Sequence, residues 1–414
     1  MGLLEKIKKS FSFFHGNALV ITVSWIFIVF SNRITAIYFS EYLQVLGATP
    51  FIIGIMYTVY LYLVSISRVI GGYISDKWGR RKIICMMTYV LAFVQLIYAF
   101  APSWEWIFAA FIITAFTLVY QTALDAMIAD SLPAENRGFG FSVVYFFSYL
   151  PSIAAPFLAI YLIVFLNNFE KGVRLAFVLS FFLTLTAAII RTKFLTETLE
   201  NIENDNFKSA KELFKDFIAK FYDALKKIDR PLAMLIIAYG AYFFASNVTS
   251  YFWILYALDV IGLSIVEWGY VSWAGVAIGI ILMMPIGIIV EKIGRLRSFI
   301  IGAFGSALFG YFYLIAKDFQ SALISYTMIS LSMLLLINAF VALRADMMPR
   351  EYRGRMMAAA TIALSIVNAP SGIIGGYLYE YISPELPFLI FIGLSLFTAV
   401  FALLTVREPK ERYE

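Results

Sequence analysis

Gly72-Tyr73-Ile74-Ser75-Asp76-Lys77-Trp78-Gly79-Arg80-Arg81-Lys82 returns, in degraded form, as Gly287-Ile288-Ile289-Val290-Glu291-Lys292-Ile293-Gly294-Arg295 at a shift of 215 residues. Gly72, Asp76, Gly79 and Arg80 fall on Gly287, Glu291, Gly294 and Arg295. The same shift lays Ser31-Asn32 on Ser246-Asn247, Gly47 on Gly262 and Gly54 on Gly269. At a shift of 216, Asp130, Pro133, Arg137 and Gly138 fall on Asp346, Pro349, Arg353 and Gly354. Chance likeness between apolar segments matches Leu with Ile. It does not match Gly, Pro, Asp and Arg at a constant offset, so the chain contains itself twice.

Uninterrupted apolar runs surround these loops. Hydrophobic residues make up 62% of the 414, charged ones only 14%, and the mean hydropathy is +0.84. A soluble domain carries about 45–50% apolar and about 25% charged residues. The excess must face something other than water. The runs approach the length of about 20 residues that a helix needs to cross a bilayer, and lack the alternation of a membrane barrel. Twelve spans are expected, near 19–43, 50–74, 83–101, 106–131, 139–166 and 173–192, then 231–259, 266–290, 297–316, 319–345, 355–380 and 386–406. The domain expectation is an amphipathic N-terminus (1–17), a six-helix bundle (18–192), a linker (193–230), a second bundle (231–406) and a short tail (407–414). Apolar residues of the linker recur at helical spacing from Ala210 to Ile218, which predicts a helix lying along the membrane surface.

Cations set the orientation. They crowd the loops after even-numbered spans: Lys77 to Lys82, Arg137, Lys193 through Arg230, Lys292 to Arg297, and Arg350 to Arg355. The opposite loops hold only Lys171, Arg174 and Lys317. Both termini are therefore predicted to be cytoplasmic, in the cell membrane. The basic N-terminus has no small-residue cleavage site and reads as a retained anchor. The net charge of +5 is this same asymmetry, and nucleic acid is not an expected partner. One Cys (Cys85) and one His (His15) exclude an internal disulfide and a zinc site of the usual ligand number. No metal or other cofactor is expected.

The Gly72–Lys82 stretch resembles the signature loop between spans two and three of the major facilitator superfamily, and Gly287–Arg295 its echo between spans eight and nine. Asp130-x-x-Pro133-x-x-x-Arg137-Gly138 and its partner resemble the loops after spans four and ten. The resemblance covers essentially the whole chain. It implies a twelve-helix transporter in two bundles, with spans one, four, seven and ten lining a central cavity. Two parallel six-span repeats rocking about that cavity give alternating access. Two departures argue against drug–proton exchange: span four holds no Arg or Lys, and the Gly- and Pro-rich motif of span five is reduced to Ala155-Pro156-Phe157-Leu158-Ala159.

In the loops, glycines permit tight turns and close helix approach. Gly72, Asp76, Gly79, Arg80, Asp130 and Arg137, with Glu291, Gly294, Arg295, Asp346 and Arg353, are read as topology signals and as gating groups whose ion pairs bias a two-state equilibrium. An ionised side chain at mid-bilayer costs about 2.5–3.5 kcal/mol and so points to function. Arg33 lies about 22 Å into span one at about 1.5 Å per residue. Arg33, Ser40, Glu41 and Gln44 are expected on one helical face, as are Thr114, Thr117, Gln121 and Asp125 in span four. Asn32, Arg33, Gln121, Asn247, Tyr251, Asn338 and Asn368 form the predicted substrate set; for the Asn and Thr residues, interhelical bonding is the competing reading. Asp125 is either a protonatable coupling group or the ion-pair partner of Arg68 at similar depth.

A guanidinium suits a carboxylate or phosphate. The expected function is secondary active or facilitative transport of a small organic solute, favouring an anionic or acidic-headed one. The rivals are a neutral, sugar-like solute or drug efflux, and, in a different class, a non-transporting sensor. The short linker and tail argue against a sensor. The lack of a paired nucleophile and base argues against an enzyme. A monomer is expected, with the solute, lipid and a candidate coupling proton as partners.

Overall fold

The computed structural model describes residues 14–133, 137–199, 226, 228–283, 285–349, 351 and 353–408. The N-terminal stretch before residue 14 and the 210–218 helix expected in the linker lie outside the described residues. Among those described, the regular elements are all helical and order into twelve consecutive segments. The first six are span one (Gly16–Ala36, continued by Phe39–Val45), two (Pro50–Trp78), three (Arg80–Phe100), four (Trp104–Thr117 and Val119–Asp130), five (Arg137–Tyr149, a 3-10 turn Leu150–Ala154, then Ala155–Leu166) and six (Phe169–Phe194). The second six are span seven (Arg230–Thr249 and Trp253–Asp259), eight (Ile265–Ile281 and Pro285–Ile293), nine (Arg295–Leu314), ten (Phe319–Asp346), eleven (Arg353–Asn368 and Ser371–Tyr381) and twelve (Leu386–Thr405). Ten pass a length-and-hydropathy test for crossing a membrane, and the bent pair of span eight makes eleven. Span nine, with Arg295 and Arg297 in its first turn, falls outside that set.

Polar caps mark where several helices begin. The side chains of Asn168, Asp229 and Asp318 accept backbone N–H groups of the first turn from Lys171, Leu232 and Ser321, at 2.9, 3.1 and 2.8 Å. Ser264 and Glu267 form a reciprocal capping box. These bonds satisfy donors that a helix start leaves open. The turns repeat as well. Gly47 and Gly262 have φ of 92° and 80°; Gly79 and Gly294 have 87° and 99°. Only glycine adopts such values cheaply, so the 215-residue repeat is a repeat of backbone conformation.

Several spans are broken, and the causes differ. Span five breaks at Leu150-Pro151 and span eleven at Ala369-Pro370, where proline withdraws a backbone donor. Span four breaks at Leu118, beside the Thr117 hydroxyl bonded to the Thr114 carbonyl at 2.6 Å. Spans one and seven break at matching places, before Phe39 and Trp253.

Two compact units hold these spans. The first contains spans one and three to six with span two from Leu63 onward; the second contains Ala48–Tyr62 with spans seven to twelve. The first unit's core gathers Ile21 and Trp25 of span one, Ile84 and Leu91 of span three, Ala123 and Met127 of span four, Val143 of span five and Ala187 of span six. Hydroxyls join its helices: Ser31 pairs with Thr184 at 3.1 Å, and Ser180 donates to the Ser31 carbonyl at 3.1 Å. In the second unit Trp253 packs edge-on against Tyr313, Tyr326, Phe388 and Phe391. A matched bond recurs in both. Tyr42 donates to the Tyr98 carbonyl and Tyr256 to the Leu314 carbonyl, each at 2.9 Å, tying the second helix of span one to span three and that of span seven to span nine.

Candidate functional site

In the first unit, Arg33 sits in the last turn of the first helix of span one, half-buried. It makes no hydrogen bond or ion pair among the described residues. Asn32 beside it is exposed. The expected face of Arg33, Ser40, Glu41 and Gln44 does not form. Span one leaves the helix at Ile37 and Tyr38, which resets the helical phase from Phe39 onward, and Ser40 is buried. The span-four stripe is divided too. Thr114 pairs with the Tyr98 hydroxyl at 2.9 Å and Thr117 is buried, while Gln121 and Asp125 lie beyond the break at Leu118.

Asp125 takes both of its hydrogen bonds on Oδ1, from Gln121 Nε2 at 3.2 Å and from the Tyr145 hydroxyl at 3.4 Å. No ion pair joins it to Arg68 among the described residues. Arg68 is exposed and acts on Asp125 only as a longer-range charge. Equal depth brought the two near each other without closing the pair.

In the second unit the three predicted asparagines each donate to their own helix. Asn247 bonds the Phe243 carbonyl at 2.8 Å, Asn338 that of Leu334 at 2.9 Å, and Asn368 that of Leu364 at 2.6 Å. Among the described residues they make no interhelical bond. Their Oδ1 acceptors are free among the described residues, and that of Asn368 is buried. Tyr251, at the break of span seven, lies flat against Tyr57 with ring centroids 3.4 Å apart. Both belong to the second unit.

The signature loops carry matched ion pairs, one per unit. Arg80 pairs with Asp130, and Arg295 with Asp346. Each ties the start of an odd-numbered span to the end of the next even one. Arg295 also meets Glu291 at 3.7 Å, and Arg80 reaches the Thr198 hydroxyl at 3.2 Å. Arg353 Nε donates to the Met348 carbonyl at 3.3 Å, and Arg137 is exposed in the first turn of span five. The Asp76 side chain lies outside the described residues. The expected close helix approach belongs to Gly71, whose added Cβ would stand 2.6 Å from the Val119 carbonyl, and not to Gly72, which faces open space.

The sequence profile of the Major Facilitator Superfamily matches residues 21–343 and 279–414. The chain belongs to the major facilitator superfamily. An uncharacterized MFS-type transporter of Methanocaldococcus jannaschii is 24% identical over 358 residues, 83% of each chain. Among solved structures, a POT family transporter in complex with 5-aminolevulinic acid superposes with a TM-score of 0.73 at 15% identity, over 94% of this chain and 95% of that one. The xylose transporter of E. coli, in its inward-open form, gives 0.70 at 17% identity over 95% and 96%. Identities this low establish the fold alone.

Sequence reasoning missed several residues of this superfamily member's polar interior. Phe141, Tyr145 and Tyr149 form a ladder along span five, with neighbouring centroids 6.3 Å apart, and Trp25 lies 5.0 Å from Tyr145. Their spacing of four was a usable signal, hidden among many aromatics read as lipid-facing. Arg191 is fully buried; it donates to the hydroxyls of Ser24 and Thr88 at 3.0 and 2.8 Å and lies over the Tyr120 ring. Arg344 lies over Phe340, itself stacked on Tyr239 at 3.7 Å.

Proposed function

We propose that this transporter is a carrier, and not an enzyme or sensor, for a small organic solute bearing an acidic group, working by alternating access. The observation that carries the reading is Arg33, a half-buried guanidinium inside a span with no counter-ion among the described residues. A cation so placed is costly unless something anionic or wet accompanies it, and its planar fork suits a carboxylate or phosphate. That one structural neighbour holds an acid supports the reading.

A neutral solute is the second reading. The free Oδ1 acceptors of the half-buried Asn247 and Asn338 would receive sugar hydroxyls, and another neighbour is a xylose transporter. The proposed setting is a monomer in the plasma membrane with both termini cytoplasmic. A proton is the proposed coupling ion, and Asp125, unpaired with Arg68, the carboxylate able to carry it.

A ligand-stabilisation screen of purified protein over carboxylates, phosphates, sugars and nucleosides tests the choice. Acids should stabilise the wild type. Arg33→Gln should weaken their binding by about 10- to 100-fold, as loss of a charged hydrogen bond does, and Arg33→Lys by less. Stabilisation by sugars alone, unchanged in Arg33→Gln, would move the assignment to the neutral reading.

A further inference from the structure

Besides its cation, the first unit holds a carboxylate site of opposite character. Asp125 Oδ1 is engaged by Gln121 and Tyr145, but Oδ2 accepts nothing among the described residues. Aromatic rings stand beside it. Tyr145 is flanked by Trp25 at 5.0 Å and by Phe141 at 6.3 Å. A free carboxylate oxygen next to aromatic faces is a surrounding that attracts an organic ammonium, by charge and by the ring quadrupole.

The ladder continues away from Asp125. Tyr149 follows Tyr145 one helical turn along span five, with centroids 6.3 Å apart. Span one runs beside it: Trp25 packs on Tyr145, and Arg33 stands eight residues on from Trp25 in the same helix, about 12 Å along its axis. Asp125, Tyr145 and Tyr149 thus form a row within one unit, with the anion at one end, and the span that packs on this row carries the cation Arg33 further along. Neither charge is paired with the other, and Arg68, the remaining cation near Asp125, makes no ion pair with it.

We propose that the solute is a zwitterion with well-separated charges, its ammonium taken by Asp125 and its acid by Arg33, its linking chain lying along Tyr145 and Tyr149. This rests on the reading of Arg33 as the acid-binding group and adds the amine. The row sets the spacing. One turn of helix separates the two tyrosines, so the charged groups must be several bonds apart. An α-amino acid carries both on adjoining carbons and cannot reach both ends.

Constitutional isomers give the test. Affinity is measured for 6-aminohexanoate, 2-aminohexanoate, hexanoate and hexylamine by intrinsic tryptophan fluorescence, with thermal shift as a second readout. In the wild type, 6-aminohexanoate should bind about tenfold or more tightly than the other three, since each of those forgoes one charged hydrogen bond. Asp125→Asn should bring 6-aminohexanoate down to the affinity that the same variant shows for hexanoate, and a cooperative thermal transition shows that the variant folds; a retained preference for 6-aminohexanoate would overturn the proposal. Hexanoate binding as well as 6-aminohexanoate, with both lost in Arg33→Gln, would overturn the zwitterion and leave the acid reading standing. Equal binding of the two amino-acid isomers would overturn the spacing. Failure of both hexanoate and 6-aminohexanoate to bind would overturn the zwitterion and the acid reading together.

Discussion

Among the described residues Arg191 is the largest completely buried side chain, and its Nη2 has no hydrogen-bond partner there. Ser24 and Thr88 accept its other hydrogens while donating their own to the carbonyls of Ile21 and Ile84, at 3.0 and 2.6 Å. Neither hydroxyl would be orphaned if the guanidinium were removed. A buried charge without a carboxylate costs solvation that polar contacts only partly return. Arg191→Met, of similar length, is therefore expected to hold or raise the thermal unfolding temperature in detergent. Arg191→Ala, which leaves a cavity, should lose about 2–5 kcal/mol. Equal losses in both variants would mean that the charge itself is structural. Arg191 was not legible as a buried group because an arginine in the last turn of a span also reads as a topology signal. Arg33 was legible for the opposite reason: nothing about topology asks for a cation at that depth. What the sequence did not carry was the aromatic row packed on its span, since that row comes from span five, over a hundred residues away.

At the scale of elements, the repeated glycines were the most readable feature. Gly79 and Gly294 stand just before spans three and nine with φ of 87° and 99°. Gly79→Ala and Gly294→Ala should each cost about 1–3 kcal/mol, the usual strain of such a backbone; Gly72→Ala, facing open space, should be neutral. Equal tolerance at all three positions in thermal melts would contradict the turn argument. A different constraint acts where span two meets span eleven within the second unit. A Cβ on Gly376 would stand 2.5 Å from the Pro50 carbonyl, and the Glu380 carboxylate accepts the Phe51 N–H at 2.8 Å. Gly376→Ala should force these helices apart and slow transport, while Gly393→Ala, with nothing within 4 Å, should not. Unchanged turnover in both would show that the close packing has no part in the cycle. The helix breaks were less legible. Pro151 and Pro370 mark those in spans five and eleven, although both spans were expected to be continuous; spans one and seven have no proline at their breaks, and the face predicted for Ser40 and Glu41 failed for that reason.

For the whole molecule, the sequence repeat translates into paired chemistry, one copy per unit. The two loop ion pairs are not equivalent in setting. The Asp130 side chain is 41% exposed, that of Asp346 only 20%. Exposed pairs contribute about 0–1 kcal/mol, whereas stranding a buried charge costs about 3–5 kcal/mol. Asp346→Asn should therefore destabilise more than Asp130→Asn, and added salt should weaken the second pair less than the first. The reverse order in thermal melts would count against the burial argument. If the pairs also gate, Asp130→Asn will slow transport while leaving membrane insertion intact. Twelve spans were readable because lipid imposes the length of each. The grouping of Ala48–Tyr62 with the second unit was not, since covalent order assigns span two to the first half.

Counterflow in proteoliposomes tests the central claim most directly. Vesicles carrying purified protein are loaded with unlabelled 6-aminohexanoate or hexanoate, and uptake of a labelled trace of the same compound is followed in wild type and Arg33→Gln. The account predicts transient accumulation above equilibrium in the wild type, faster for the amino acid, and its loss in the variant with protein insertion unchanged. Accumulation that persists in Arg33→Gln, or that occurs with xylose and with neither acid, would contradict it.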